Sequence, residues 1–431
     1  MNKRAALLQG ALLLLLLLAG MSHLKTAFLA QLATNNSANA IFFSRELTDP
    51  ETLGRLARKE HLVNADLVRA LDLYQRALGN FILHVPSWLG LAEVYNDMGR
   101  KDQAVAALTF IQDFSADNEE TAWSQAILAN ELDQVELMTS RLVWLAANYP
   151  ARHLMIFTLA DLHWPDPAVM MEKFDRTLYP AILEYYIDIN DARKAGYAWK
   201  QVVDSGTRSR ETALRYVNYL LKHDETEQAA LIWQRDYRED NELLFNRDLQ
   251  LPFMGSGFGW RINRADGVDW RQLENGNGLQ IEFDGSENPS LRLAQIVPLS
   301  PGRYIFSGDV ESLDLTTDQR PYWSITGYNC KGLNVKSEMI PSTSPHDTLA
   351  LNFTVPDGCH AVQIALRRNP SYFFDNLMSG LLKIDGLALE PDREEGHFEA
   401  VLPGETPDRK TIKAKTGTSG SNIEIKRIQV Y

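Results

Sequence analysis

The chain is short of several things that particular functions need. Its 431 residues include only two cysteines, Cys330 and Cys359, and a metal site built on them would need more ligands than the sequence sets beside them. The nine histidines are scattered and fall into no metal-ligand spacing. Basic residues are outnumbered, 43 Lys and Arg against 56 Asp and Glu. The resulting net charge of −13 excludes the basic footprint that a nucleic-acid surface requires. There is no His-Glu-x-x-His, no Gly-x-Ser-x-Gly, no phosphate-binding Walker loop and no dinucleotide fingerprint between a strand and a helix. Gly255-Ser256-Gly257-Phe258-Gly259 is glycine-rich, but strands follow it, so it does not form a phosphate cradle. Carboxylates abound, yet a pair for glycoside cleavage is defined by separation in space, which no spacing along a chain supplies. No catalytic residue is assigned, and the expectation is a non-enzymatic protein.

What is present begins with a greasy N-terminus. Ala5–Met21 is apolar and contains seven consecutive leucines, Leu12–Leu18. Lys3 and Arg4 precede it, and no acid occurs before Glu46. A helical membrane span needs roughly 20 apolar residues, with about 17 as a lower limit. Residues 1–33 therefore read as a cytoplasmic tip plus a signal-anchor helix, and Ala27–Ala33 offers an extension. Basic residues stay inside, so everything later is expected on the far side of that membrane. A cleaved signal peptide is the alternative. Its small-x-small triplet, Ala38-Asn39-Ala40, lies far beyond the leucines. A buried core helix is excluded, because a leucine run has no polar face at any helical period.

Residues 34–48 form a polar spacer, and residues 49–244 carry helical patterning that repeats. The clearest unit, Pro86–Leu108, sets Trp88, Leu91, Ala92, Tyr95, Gly99 and Ala104 in an order that resembles the tetratricopeptide repeat, whose period is about 34 residues. Leu91 and Tyr95 share a face of a first helix, Gly99 ends it, and Ala104 is small where a second helix crosses. Worn copies follow the same logic. They are Ala70, Tyr74 and Ala77; Trp123 and Ala126; Leu154, Leu159 and Phe174 around the break Trp164-Pro165-Asp166-Pro167; Ala192, Ala195, Tyr197 and Ala198; and Ala213, Tyr216, Tyr219, Ala229 and Trp233. Five or six helical pairs stack into a solenoid whose groove holds a protein partner, unless the array is only a spacer.

After Leu244 the period changes to two. Seven strands are expected over 278–283, 291–297, 303–310, 322–330, 348–355, 361–367 and 381–389, with turns at Asp284-Gly285, Pro301-Gly302 and Asp357-Gly358. Strands without intervening helices predict an antiparallel β-sandwich over 245–392. The order Asn246, Gly257-Phe258-Gly259-Trp260, Gly267-Val268, Ser300-Pro301-Gly302-Arg303-Tyr304, Phe353-Thr354-Val355-Pro356 and Ile384-Asp385-Gly386-Leu387 resembles the galactose-binding-like jelly rolls that serve as carbohydrate-binding modules. That resemblance implies a glycan ligand. It also implies a structural calcium ion near the first and last strands, with Asp385 at the matching late position. Cys330 and Cys359, 29 positions apart in an exported domain, are expected to form a disulfide, the alternative being two buried thiols.

Sugar recognition needs flat apolar rings beside planar polar groups. The candidates are Trp260, Trp270, Tyr322, Trp323, Tyr328, Arg367 and Tyr372, and the selected set is Trp270, Trp323 and Arg367. Trp260 sits in a structural motif and reads as core. Tyr322 and Trp323 are adjacent in a strand, so one faces the core and the other solvent. Residues 393–431 are a polar tail, expected to be poorly ordered up to Ser421 and to end in a strand over 423–431. The whole layout resembles tetratricopeptide proteins that accompany exopolysaccharide synthesis and export, a resemblance that implies a bacterial inner-membrane protein with its bulk in the periplasm. The expected function is a non-catalytic adaptor, with a glycan hydrolase or transferase and a pure protein scaffold as alternatives.

Overall fold

The structure is a computed structural model, and it describes residues 48–114, 118–238, 242–273, 278–372 and 377–392. The expected membrane span Ala5–Met21, the polar spacer up to residue 47 and the terminal strand lie outside these residues. Among the described residues no helix is long and apolar enough to cross a membrane. The chain divides into two compact units, one ending at Arg208 and the other beginning at Ser209.

The first unit is helical: α1 (Pro50–Leu62), α2 (Leu67–Asn80), α3 (Val85–Asp97), α4 (Lys101–Phe110), α5 (Glu119–Glu131), α6 (Val135–Asn148), α7 (His153–His163), α8 (Pro167–Glu172), α9 (Tyr179–Asp188) and α10 (Ala192–Asp204). Short polar side chains start many of them. Asp49, Asp66, Asn118, Asp166 and Asp191 each accept a backbone N–H from the first turn. The turns inside the helical pairs share a device. Ala65, Gly99, Asp133 and Asn190 each take a positive φ that ends the first helix of a pair. Ala65, Gly99 and Asp133 stand at intervals of 34 residues, so the repeat period is written in the backbone where composition hides it.

Adjacent pairs are tied by side chains one period apart. His61 meets Asp97 at 2.7 Å, Asn96 donates to Glu131 at 3.2 Å, and His163 lies 3.1 Å from the Asn130 carboxamide oxygen. Lys194 bonds both oxygens of Asp161, at 2.7 and 2.8 Å. The opposite helix ends carry Glu51 with His84 and Glu119 with Arg152. Small residues let the helices approach. A Cβ on Gly90 of α3 would land inside the ring of Tyr74 on α2. Ala104 is fully buried, as its place at a crossing requires.

The second unit opens with one helical hairpin, α11 (Arg210–Lys222) and α12 (Thr226–Tyr237), and continues, among the described residues, as ten strands. They are β1 (Arg261–Ile262), β2 (Val268–Gln272), β3 (Leu279–Asp284), β4 (Leu291–Pro298), β5 (Gly302–Leu313), β6 (Tyr322–Gly327), β7 (Asn334–Lys336), β8 (Ser344–Val355), β9 (Ala361–Arg368) and β10 (Ser379–Pro391). They form two antiparallel five-stranded sheets, which we call A (order β1-β4-β9-β6-β7) and B (order β2-β3-β10-β5-β8). From β4 to β6, and again from β8 to β10, the chain alternates between sheets, as a jelly roll does. Alternate residues such as Leu279, Ile281 and Phe283 or Val362, Ile364 and Leu366 fill the core between them.

The hairpin α11–α12 belongs with the sandwich, although its local pattern matches the repeats. Trp233 of α12 packs edge-on against Phe245 and Phe258 at 5.1 and 5.8 Å. Asn218 of α11 accepts the Gly257 N–H at 2.8 Å, and the Tyr328 hydroxyl donates to the Leu221 carbonyl at 3.2 Å. Gly257 has a positive φ, and a side chain there would strike the Trp233 ring. Outward positions of sheet A near this hairpin, such as Ala294 and Ile296, are consequently buried.

Cys330 and Cys359 are bonded, with Cα atoms 5.6 Å apart. They lie just outside β6 and β9, neighbouring strands, so the bond clips two loops at one end of sheet A.

Candidate functional site

The expected sugar-contact residues are scattered by strand parity. Trp323 points inward, is fully buried and meets Phe306 at 4.9 Å between ring centroids. It offers no ring face to a ligand, which corrects its selection as a sugar contact. Its neighbour Tyr322 is the outward member of the pair. Trp260 is core, and its indole donates to the Asn246 carbonyl at 3.2 Å. Trp270 is 39% exposed on β2, at the edge of sheet B, stacked with Phe253 at 5.3 Å. Tyr328 fastens the β6–β7 connection to α11. Arg367 faces outward on sheet A, so Trp270 and Arg367 stand on different sheets.

The outward face of sheet A gathers a different set. Arg292 on β4, Arg367 on β9 and Tyr322 on β6 occupy one row, each directly opposite the next. Directly opposed residues in such ladders lie about 5 Å apart. Gln363 stands two outward positions further along β9, past Ala365. Its Oε1 accepts from Arg292 Nη2 at 2.6 Å and from Arg367 Nη2 at 3.4 Å. Asn369 donates to the Tyr322 hydroxyl at 3.2 Å, and Lys336 Nζ lies 5.4 Å from the centre of the Tyr322 ring. Tyr372, in the β9–β10 connection, is completely exposed.

Inward side chains hold this end of the sheet in place. Arg368 follows Arg367, so it points the other way and is 1% exposed. Its Nε donates to the Gln319 carbonyl at 3.0 Å, and its Nη1 bonds the Pro289 carbonyl. Asn288 and Ser371 exchange two backbone–side-chain bonds at 2.8 and 2.9 Å, and the Ser371 hydroxyl donates to Asp318. The loops around the row are thereby locked to a buried guanidinium. Asn263, directly after β1, accepts the N–H of Arg292 on β4 at 2.5 Å, fixing the row's other end. Burial, and then the Arg367 charge, lower the Arg292 guanidinium from its ordinary range.

The calcium expectation does not fit the side chains present. Asp385 lies opposite Asp309 across β10 and β5, and burial followed by the Asp309 charge raises its carboxyl above the usual range. Among the described residues no group of three or more His, Cys, Asp or Glu side chains converges as a metal site.

In the helical unit, a groove of about 360 Å³ is lined by Glu119, Glu120 and Trp123 of α5, Leu145 of α6, Arg152, and Met155 of α7. Nearby Ile127, Leu154 and Met155 are exposed apolar side chains. Sequence patterning singled out Trp123 and Leu154 only as repeat positions. It missed Arg292, Gln363, Lys336 and Asn369 altogether, because their convergence depends on strand register. Strand alternation around Arg367 is the one signal that pointed toward this face.

The fold defines the chain as helical pairs followed by an antiparallel β-sandwich. No protein-family model matches it, and no curated protein matches it. Solved structures show partial likeness. A carbohydrate-binding module, TmCBM61, solved in complex with beta-1,4-galactotriose, is 13% identical, covers 36% of this chain and 100% of its own, and has a TM-score of 0.26. PilF of Pseudomonas aeruginosa is 14% identical over 44% of this chain and 93% of its own, with a TM-score of 0.27. YrrB, a tetratricopeptide-repeat protein with an unusual peptide-binding site, is 14% identical over 46% and 91%, with a TM-score of 0.23. Likeness at this level transfers no residue, ligand or activity.

Proposed function

We propose that the protein is a non-catalytic, membrane-anchored adaptor whose helical pairs hold a protein segment and whose sandwich binds a glycan outside the inner membrane. Its setting is the assembly or export of an envelope polysaccharide. The observation that carries the sandwich half is the outward row Arg292–Arg367–Tyr322 with Gln363 between the guanidiniums. It combines a phenol ring with planar hydrogen-bonding groups, the pairing that sugar rings and hydroxyls call for. The apolar groove around Trp123 and Met155 supports the protein-binding half. The leucine-rich N-terminus and the disulfide support the compartment.

A glycan array probed with the full chain tests the sandwich half. Binding is expected, and it is expected to disappear when Tyr322→Ala and Arg367→Ala are combined. An array with no binder overturns it. Alkaline phosphatase fused after Tyr431 tests the compartment. An active reporter is expected, and a well-expressed but inactive one overturns the exported orientation.

A further inference from the structure

The outward row of sheet A carries an electrostatic conflict. Arg292 and Arg367 are directly opposed on neighbouring strands, where like charges destabilise a sheet. Both send an N–H to one neutral acceptor, Gln363 Oε1. Arg367 Nε is shut off from solvent and has no partner. Arg261 on β1 is outward too, near enough to Arg292 for the two charges to repel. Lys336 adds a fourth base beside Tyr322. Among the described residues no ion pair neutralises any of the four. Among the described residues the strands of sheet A carry four outward bases and no acid, in a chain of 56 acids and 43 bases.

We infer that this face binds an acidic polysaccharide, its uronic-acid carboxylate bridging Arg292 and Arg367 while the Tyr322 ring lies under a pyranose. This rests on the glycan-binding reading above and narrows it to a charged class. Guanidinium forks match the two oxygens of a carboxylate, and such charge-assisted pairs are about twice as strong as neutral ones. Lys336, across Tyr322 from Arg367, is placed to meet the next carboxylate along the polymer. Binding is expected to weaken steeply with salt, because the row is only partly shielded from water.

The test is calorimetric titration of the full chain with polygalacturonate, alginate and hyaluronate, each beside its carboxyl-reduced counterpart. At least one uronate polymer is expected to bind. Carboxyl reduction, Arg292→Gln and Arg367→Gln are each expected to weaken it about tenfold or more, the equivalent of one charge-assisted contact. Arg367→Lys keeps the charge without the fork and is expected to fall between. Lys383→Gln, on sheet B, is expected to change nothing and controls for folding. Equal binding of native and reduced polymers, with the arginine variants unaffected, overturns the acidic class and leaves the glycan reading standing. Absence of binding to every charged polymer while neutral glycans bind does the same. Absence of any glycan binding overturns both. Polyglutamate binding as tightly as the best uronate, with the same dependence on both arginines, overturns the saccharide assignment in favour of an acidic peptide.

Discussion

Removing the disulfide by pairing Cys330→Ala with Cys359→Ala opens a loop of 29 residues. The chain-entropy relation for a loop of this size gives about 3.6 kcal/mol at room temperature. Two structural facts argue against a smaller value. Cys359 is fully buried in the sandwich core, so its sulfur also packs. The loop between β6 and β7 that Cys330 anchors also holds α11, through Tyr328 on Leu221 and Asn329 on Asp224. For a unit of this size, 1 kcal/mol moves Tm by about 2–4 °C, so a drop of about 7–14 °C is expected. Differential scanning calorimetry of the full chain reads it, and dithiothreitol added to the native protein should reproduce the shift in the same transition. The helical unit's transition should stay in place. A shift under about 3 °C would refute the entropic reasoning, because loop closure alone exceeds it. Two free thiols in protein exported by its own N-terminus would refute the bond itself.

Other substitutions probe the remaining elements. Gly90→Ala drives a methyl into the Tyr74 ring and is expected to destabilise the helical unit by about 1–3 kcal/mol in urea denaturation, with Tyr74→Leu restoring part of the loss. Lys194→Met strands Asp161 among the hydroxyls of Tyr185 and Tyr186; breaking so enclosed a pair is expected to cost about 3 kcal/mol, and an unchanged midpoint would show the pair to be neutral. Asp385 has a raised carboxyl pKa in the folded state, so the fold binds its proton more tightly than the unfolded chain does. Its contribution favours folding at low pH and is lost as pH rises from about 3.8 through the folded value. Asp385→Asn is therefore expected to raise Tm at neutral pH and to lose that advantage in acid, read by thermal melts across pH.

Much of the fold was legible because it follows short-range rules. Gly99 marked a helix end through its freedom at positive φ, and the Pro86–Leu108 unit falls on α3 and α4. Ala65, Asp133 and Asn190 do the same work with no glycine, so those turns were silent. Alternation located seven strands. It missed β1 and β7, too short to alternate, and β2, whose mostly exposed Val268–Gln272 has no buried face to betray it. The expected strand 322–330 stops at Gly327, where the backbone turns so that Cys330 can reach Cys359. The site was harder. Sequence showed that Tyr322 and Trp323 part company, but which faces the core depends on the neighbours Ile325 and Leu366, fixed only by register. Arg292 and Arg367, 75 positions apart in sequence, meet for the same reason. The hairpin α11–α12 carries repeat-like spacing, and only its partners Phe245, Phe258 and Tyr328 reveal where it belongs.

That hairpin has a practical corollary for anyone wishing to cut the sandwich out by recombinant means. A fragment begun at residue 245, where the hydropathy period changes, would strip Trp233 from Phe245 and Phe258 and leave Ala294 and Ile296 bare. Such a fragment would carry a sticky apolar flank beside the arginine row and would self-associate. Starting at Ser209, whose hydroxyl caps α11, keeps the flank sealed.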